Sequence, residues 1–290
     1  MEYIATKTKT KEIMDKYGAF FKKKFGQNFL IDKNVIEKII TSAGVTKDDT
    51  VIEIGPGIGN MTQYLSSYAK KVLAIEIDRD LVKILKEDTL SECDNAEVIG
   101  EDFMRLDLDD LFHNKLKGEK IKVVSNLPYY ITTPIIMELL KYRDQIESIT
   151  IMIQKEVADR INAKPKTKDY GALTIAIGVF ATNEYVTTVP HTCFVPEPNV
   201  DSAVIKINVL DKPNLEMENV DLFFEVVKAA FAQRRKNLVN TLSSGMKCFE
   251  SKEQITKILE SVGIKPTARG EELSISEFEK LAMAIEKEMK

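Results

Sequence analysis

Residues 50–65 read TVIEIGPGIGNMTQYL, and the fold turns on this stretch. Thr50–Ile54 alternates as a β-strand and runs without a linker into Gly55-Pro56-Gly57-Ile58-Gly59, after which Met61–Leu65 opens a helix. Three glycines in five residues let the backbone approach a ligand with no Cβ in the way, and a glycine turn between strand and helix is how open α/β sheets hold nucleotides. Upstream, Asp32 is placed to cap a helix whose Val35, Ile36, Ile39, Ile40 and Ala43 share one face, and Gly44 ends it. Downstream, Val72–Ile77 is a second strand, followed by a helix from Leu81–Leu85, a third strand Ala96–Ile99 and a fourth at Ile121–Ser125. Helix Pro134–Leu140 and strand Ser148–Ile153 continue the alternation. Strands alternating with helices imply a parallel, doubly wound α/β sheet.

The pattern then changes. Ala172–Phe180 reads as a helix, and Glu184–Val189 and Ala203–Val209 read as strands around a loop holding Phe194-Val195-Pro196-Glu197-Pro198. Asp211–Glu218 is polar and carries a proline, which suits a linker, and everything after it reads helical. Ser251-x-x-Gln254 and Ser276-x-x-Glu279 fit capping boxes ahead of periodic apolar runs. The expected organisation is a flexible basic leader over residues 1–18, a main domain over 19–210 and a small all-α C-terminal domain over 211–290.

With 290 residues, 44% of them hydrophobic and 30% charged, the chain has the composition of a soluble globular protein. It has no apolar run long enough for a bilayer and no signal-peptide core, so no membrane partner is expected and the expected location is cytoplasmic. Cys93, Cys193 and Cys248 are too scattered for a metal knuckle or a disulfide framework, and His113 and His191 are isolated, so no metal site is expected. The net charge of −4 conceals a strong asymmetry. Glu76–Glu119 holds fourteen acids against six bases, whereas Lys228–Lys247 holds five bases and no acid. Residues 1–30 hold seven lysines against three acids, so an acidic protein can still carry basic faces.

Glu76 stands about 20 residues beyond the glycine turn at the tip of the second strand, where an acid can grip ribose hydroxyls. Asn60 occupies the position at which a dinucleotide fingerprint requires a third glycine, and no second mononucleotide-binding half follows. The Gly-x-Gly-x-Gly spacing with Glu53 just before it resembles instead the donor loop of S-adenosylmethionine-dependent methyltransferases. Asp102, at the tip of the third strand, is then placed to accept from an adenine amino group. On the fourth tip Ser125–Tyr130 reads SNLPYY. An amide, a stiff proline turn and an aromatic ring suit a flat heterocycle bearing an exocyclic amine. The motif resembles the acceptor site of amino-methyltransferases. An adenine amine is a poor nucleophile because its lone pair is delocalised into the ring. The Asn126 side-chain carbonyl and the Leu127 backbone carbonyl can accept its two N–H bonds and turn the lone pair toward an incoming methyl, while Tyr129 stacks on a base held out of the RNA stack.

Longer matches extend the resemblance over nearly the whole chain. FGQNFL (Phe25–Leu30), EIGPGIGNMT (Glu53–Thr62), NLPYYITTPI (Asn126–Ile135), QKEVADRI (Gln154–Ile161), DYGALT (Asp169–Thr174), FVPEPNVDSAV (Phe194–Val204), QRRKNLVNTL (Gln233–Leu242) and RGEELS (Arg269–Ser274) together resemble the KsgA/RsmA-type family of small-subunit (16S) ribosomal RNA adenine N6,N6-dimethyltransferases. That resemblance implies a Rossmann-like class I methyltransferase fold with a mostly parallel seven-stranded sheet, and S-adenosyl-L-methionine as methyl donor without a metal. It implies a donor site at Asn28, Leu30, Gly55, Gly57, Glu76, Asp102 and Asn126, and a target pocket at Asn126, Leu127 and Tyr129 with Phe194 as a second aromatic wall. The implied reaction dimethylates two adjacent adenosines in a hairpin loop near the 3′ end of small-subunit rRNA, within an immature small subunit, and a monomer is the default state. Lys22, Lys23, Lys24, Arg234, Arg235 and Lys236 are the expected phosphate contacts, with Lys164, Lys166 and Lys168 as a further basic loop over the substrate entrance. The competing readings are the related large-subunit adenine methyltransferase of macrolide resistance, a mitochondrial transcription-factor relative, and a mainly non-catalytic ribosome assembly factor. The DYGALT segment and the C-terminal QRRK run favour the small-subunit group, no transit peptide is evident, and the intact donor and acceptor motifs speak against a purely structural role. A dinucleotide oxidoreductase ranks last.

Overall fold

A computed structural model describes residues 3–22 and 25–289 of the chain. In chain order its regular elements begin with α1 (Lys7–Lys16), β1 (Phe29–Leu30), α2 (Lys33–Ala43), β2 (Thr50–Ile54), α3 (Thr62–Tyr68), β3 (Lys71–Ile75), α4 (Arg79–Ile84) and β4 (Ala96–Ile99). They continue with β5 (Ile121–Asn126), α5 (Thr132–Leu139), β6 (Ile146–Gln154), α6 (Lys155–Ile161), α7 (Ala172–Phe180), β7 (Ala181–Val189), β8 (Phe194–Val195) and β9 (Ser202–Val209). Four helices close the chain: α8 (Val220–Phe231), α9 (Leu238–Gly245), α10 (Lys252–Ser261) and α11 (Ile275–Glu288).

The elements form two compact units, Met1–Ala158 with Thr182–Asp211, and Asp159–Ala181 with Lys212–Lys290. In the first, a seven-stranded sheet has the order β4-β3-β2-β5-β6-β9-β7. The pairs β2–β3, β3–β4, β2–β5 and β5–β6 are parallel, and β9 joins β6 antiparallel. Strand order reverses between β2 and β5, and open α/β sheets place their ligand crevice at such a switch point, beyond the carboxyl ends of the strands. These two strands pair only from Thr50–Ile52 against Ile121–Val123. Past that point the Ser125 hydroxyl takes the place of the ladder by accepting from the Ile54 N–H at 2.8 Å, so the strand tips part without losing a buried hydrogen bond.

The helix α2 shows how local signals and packing agree. The Asp32 carboxylate accepts from the N–H groups of Asn34 and Val35, and Gly44 closes the last turn at φ 63° by donating to the carbonyls of Ile40 and Thr41. Between the caps, Ile36, Ile39, Ile40 and Ala43 are buried in a cluster with Val51, Leu65, Val72, Val124, Met152 and Val204 from the sheet and α3.

The stretch expected as a flexible leader contains α1, whose Thr6 caps the first turn and whose Thr10, Ile13 and Met14 are buried. Ile13 and Met14 join a cluster with Phe29, Ile58, Leu81 and Ile84, and the Ile4 N–H donates to the buried Gln63 carbonyl at 3.0 Å. The lysines that make the segment look like a polar tail lie on the opposite side of a helix with one apolar stripe, too narrow to stand out in the composition.

In the second unit Asp159–Ala181 groups with the C-terminal helices, although it precedes the expected boundary at 210/211. The reason is α7, which is apolar along its length and buries Ile175, Ala176, Ile177, Val179 and Phe180, with Phe180 stacked on Phe224 at 5.2 Å between ring centres. The capping box of α11 is formed by Ser274 and Glu277, two residues before the expected Ser276 and Glu279. The Glu279 carboxylate instead accepts from the Glu216 and Met217 N–H groups, and so ties the linker segment to α11.

Candidate active site

Residues from β1, the β2 turn, the β3 tip and the β5 tip line one cleft with about 730 Å³ of free space, open solvent included. Its walls include Asn28, Phe29 and Leu30, Glu53, Gly55 and Gly57, Asn60, Glu76, and Asn126 through Tyr130. The sequence scatters these groups over a hundred positions, and the parallel sheet brings them together because consecutive strands all end on the same edge.

The glycine turn is shaped by contacts that exclude a side chain. Gly57 adopts φ 64°, and a Cβ there would lie 2.8 Å from the Phe29 ring. The Gly57 N–H donates to the Glu76 carboxylate at 3.1 Å, and the Asp78 N–H does so at 2.8 Å, which fixes that carboxylate at the tip of β3. Burial nonetheless pushes the Glu76 carboxyl up to about 7. Glu53, fully enclosed in the apolar strand β2, is raised by burial to about 8, with the neighbouring Glu76 charge adding to the effect. One Glu53 oxygen, Oε2, is buried in the cleft wall with no hydrogen-bond partner among the described residues, as is Oδ1 of Asn60. Such unpaired acceptors fit a ligand that carries hydrogen-bond donors.

The β5 tip presents the acceptor groups. The Asn126 amide donates to the Asn28 carbonyl at 3.0 Å, which fixes a side chain that lines the cleft. The Leu127 N–H is taken by the Met152 carbonyl at 3.0 Å, which anchors the backbone of the motif to β6. Pro128 and Ile131 close a turn that points Tyr129 and Tyr130 into the cleft wall. The Tyr129 hydroxyl shares a hydrogen bond of 2.6 Å with the hydroxyl of the buried Ser202, which fixes the ring.

Several expected residues lie elsewhere or act otherwise. Asp102 sits just beyond β4, where its carboxylate accepts from the Met104 N–H at 3.0 Å and its charge acts on Tyr130 of the cleft wall. Phe194 is 1% exposed and belongs to the apolar cluster that holds α2 against the sheet. Lys22 is bound by Asp78 at 2.7 Å and Asp80 at 2.6 Å, and Gln27 donates to the same Asp78 at 2.8 Å. These bonds fasten the FGQNFL segment beside the cleft. Lys23 and Lys24 lie outside the described residues. In the second unit Arg235 and Lys236 are exposed, while Arg234 pairs with Glu271 at 3.2 Å. Lys166 belongs to that unit too, its N–H donating to the Glu271 carbonyl at 2.7 Å.

Sequence patterns give Tyr130 no site role of its own, mark Glu53 only as the acid ahead of the glycine turn, and use Asn60 only to exclude a dinucleotide. A lone acid inside an otherwise apolar parallel strand is the signal that marks Glu53. Asn60 pins β1 to the glycine turn by donating to the Leu30 carbonyl at 2.6 Å, a partner thirty positions away that no local pattern announces.

The sheet order, the glycine turn at the switch point and the acceptor motif on the adjoining strand define a class I, S-adenosylmethionine-dependent methyltransferase fold. Within that class the chain belongs to the ribosomal RNA adenine dimethylase family, whose family model matches residues 18–285. It is 48% identical over 290 residues, covering 100% of both chains, to a protein of Lachnoclostridium phytofermentans named ribosomal RNA small subunit methyltransferase A. A Clostridioides difficile protein of the same name is 49% identical over 285 residues, covering 98% of each chain. Among solved structures, a dimethyladenosine transferase from Plasmodium falciparum superposes with a TM-score of 0.73 at 26% identity, covering 89% of this chain and 97% of the other. The 23S rRNA methyltransferase ErmE does so with a TM-score of 0.65 at 28% identity, covering 89% and 100%. Among the described residues no helix is long and apolar enough to cross a membrane.

Proposed function

We propose that this protein transfers methyl groups from S-adenosyl-L-methionine to N6 of two adjacent adenosines in the 3′-terminal hairpin loop of small-subunit rRNA, acting as a cytoplasmic monomer on an immature small subunit. The observation that carries the reading is the acceptor pair beside the glycine turn: the Asn126 side chain, turned by its bond to the Asn28 carbonyl, and the adjoining Leu127 carbonyl. The names of the relatives at 48% and 49% identity support the small subunit over the large-subunit substrate of ErmE, which is 28% identical.

Bound in the cleft, S-adenosylmethionine supplies a methyl group on a positively charged sulfur. Glu76 would hold the ribose hydroxyls, and Asn28, Leu30 and Gly57 would offer backbone contacts, with Gly55 leaving room beside Pro128. Asp102 would serve the adenine amino group from just beyond β4. Glu76, once ionised, favours a cationic ligand by charge. Oδ1 of Asn126 and the Leu127 carbonyl accept the two N–H bonds of the target amine, which localises its lone pair without a strong base. Tyr129, fixed by Ser202, stacks on the base. Phe194 would form the second wall only by leaving its core position, whereas Tyr130, 58% exposed and lining the cleft, is available without rearrangement. Arg235 and Lys236 would contact phosphates, whereas Arg234 is already paired with Glu271.

The test is mass spectrometry of nucleosides from both ribosomal RNAs after incubating the protein and donor with immature subunits. Dimethyladenosine in small-subunit RNA is expected, and methylation confined to large-subunit RNA would overturn the assignment. Asn126→Ala should lower turnover by on the order of 100-fold or more while RNA binding persists.

A further inference from the structure

A second hollow lies beside the β1–β8 ribbon, between α1 and Val195 of β8. Lys7, Lys11, Met14, Phe20, Phe21 and Val195 line it around about 790 Å³ of free space, open solvent included, and Asp15 adds one acid to the rim. Phe29 links the two cavities. Phe29 lines the cleft, its ring tilts against Phe21 at 5.4 Å, and it pairs with Val195 across the short ribbon of β1 and β8.

Two features of this hollow have no use within the fold. Phe20 is 80% exposed, more than any other large hydrophobic side chain among the described residues. An exposed aromatic ring offers a π face on which a base can stack. Lys7 and Lys11 stand four residues apart on α1 and so share a face, and neither forms an ion pair among the described residues. Their neighbours differ: Lys16 is held by Asp88 at 2.6 Å, and Lys22 by Asp78 and Asp80. An open aromatic ring flanked by free cations is the arrangement that binds single-stranded nucleic acid, the ring taking a base and the cations the backbone.

We infer that this hollow docks an unpaired nucleobase of the RNA substrate, a neighbour of the adenosine being methylated, with the base stacked on Phe20 and its phosphates on Lys7 and Lys11. The inference rests on the proposed rRNA reaction. Turning an adenosine out of a hairpin loop into the cleft unstacks the bases beside it, and a platform in this hollow restores that stacking. Val195, which follows Phe194, adds an apolar side chain to the lining of the hollow.

The experiment uses the full chain bound to immature small subunits. Ultraviolet crosslinking followed by mass spectrometry should find the peptide containing Phe20 joined to a nucleotide adjoining the dimethylated adenosines. Phe20→Ala should raise KM for subunits by about 10-fold, with kcat and donor affinity unchanged, and Phe20→Trp should restore it. Lys7→Gln with Lys11→Gln should reduce the slope of log affinity against log salt by about 1.4. A crosslink from this peptide to a ribosomal protein, or a wild-type KM in Phe20→Ala, overturns the inference while leaving the reaction standing. So does a concentration-dependent self-association that Phe20→Ala abolishes, since the hollow would then be covered by a second copy. Absence of any methyl transfer by the wild-type protein instead removes the reaction on which the inference rests.

Discussion

Glu76 illustrates what a single residue does here. Its carboxyl is raised from 4.5 to about 7 and that of Glu53 from 4.5 to about 8, burial being the main cause in both. Between those values the folded chain holds protons that the unfolded chain has lost. The two groups therefore contribute most to stability below about pH 4.5, and that contribution is lost as pH rises through about 7 and then about 8. Donor binding runs the other way, because gripping ribose hydroxyls requires the Glu76 carboxylate. Affinity should tighten from about pH 6 to about pH 8 with net release of a proton, measured by calorimetry in buffers of different ionisation enthalpy. Glu76→Gln should bind more weakly and flatten the profile; a flat wild-type profile would remove Glu76 from the donor contact. The sequence was informative about Glu76 and Asn126 because each follows a strand in a recognisable motif. It was silent on the bond between the Asn126 amide and the Asn28 carbonyl, which spans 98 positions, and on the ion pairs that occupy Lys22.

Among the elements, the turn from β2 into α3 is the most tightly constrained. Gly57→Ala would need φ near +64° and would set a Cβ 2.8 Å from Phe29. The backbone term alone is roughly 1–2 kcal/mol, and relieving the clash would shift the N–H that holds Glu76. We expect a lower Tm together with weakened donor binding, read by thermal unfolding with and without ligand; wild-type values for both would mean that the turn tolerates a side chain. Periodicity and caps made α2 legible almost to the residue, since its signals are local. The sequence misplaced the α11 cap because Ser274 and Ser276 both precede a glutamate by three residues, and only packing selects between them. The leader helix α1 escaped notice for the same reason: Ile13 and Met14 gain their meaning from Phe29, Ile58 and Leu81.

For the molecule as a whole, charge distribution decides more than net charge. Neutralising the exposed Arg235 and Lys236 should lower the slope of log RNA affinity against log salt by roughly 1.5, whereas Arg234→Gln alone should change it little, because Glu271 already balances that guanidinium. Filter binding over a salt series measures both, and an unchanged slope in the double variant would remove this loop from the RNA contact. The sequence by itself determined the alternating α/β order, the glycine turn, the acceptor motif and the family, because these are written in periodicity and in contiguous residues. Tertiary structure alone decided that Asp159–Ala181 groups with the C-terminal helices, that Phe194 packs in the core, that Lys22 serves as an ion-pair partner and that Phe20 stands open beside free lysines. Each of those depends on which distant side chain arrives opposite, and that is fixed by strand order and burial, which no local pattern encodes.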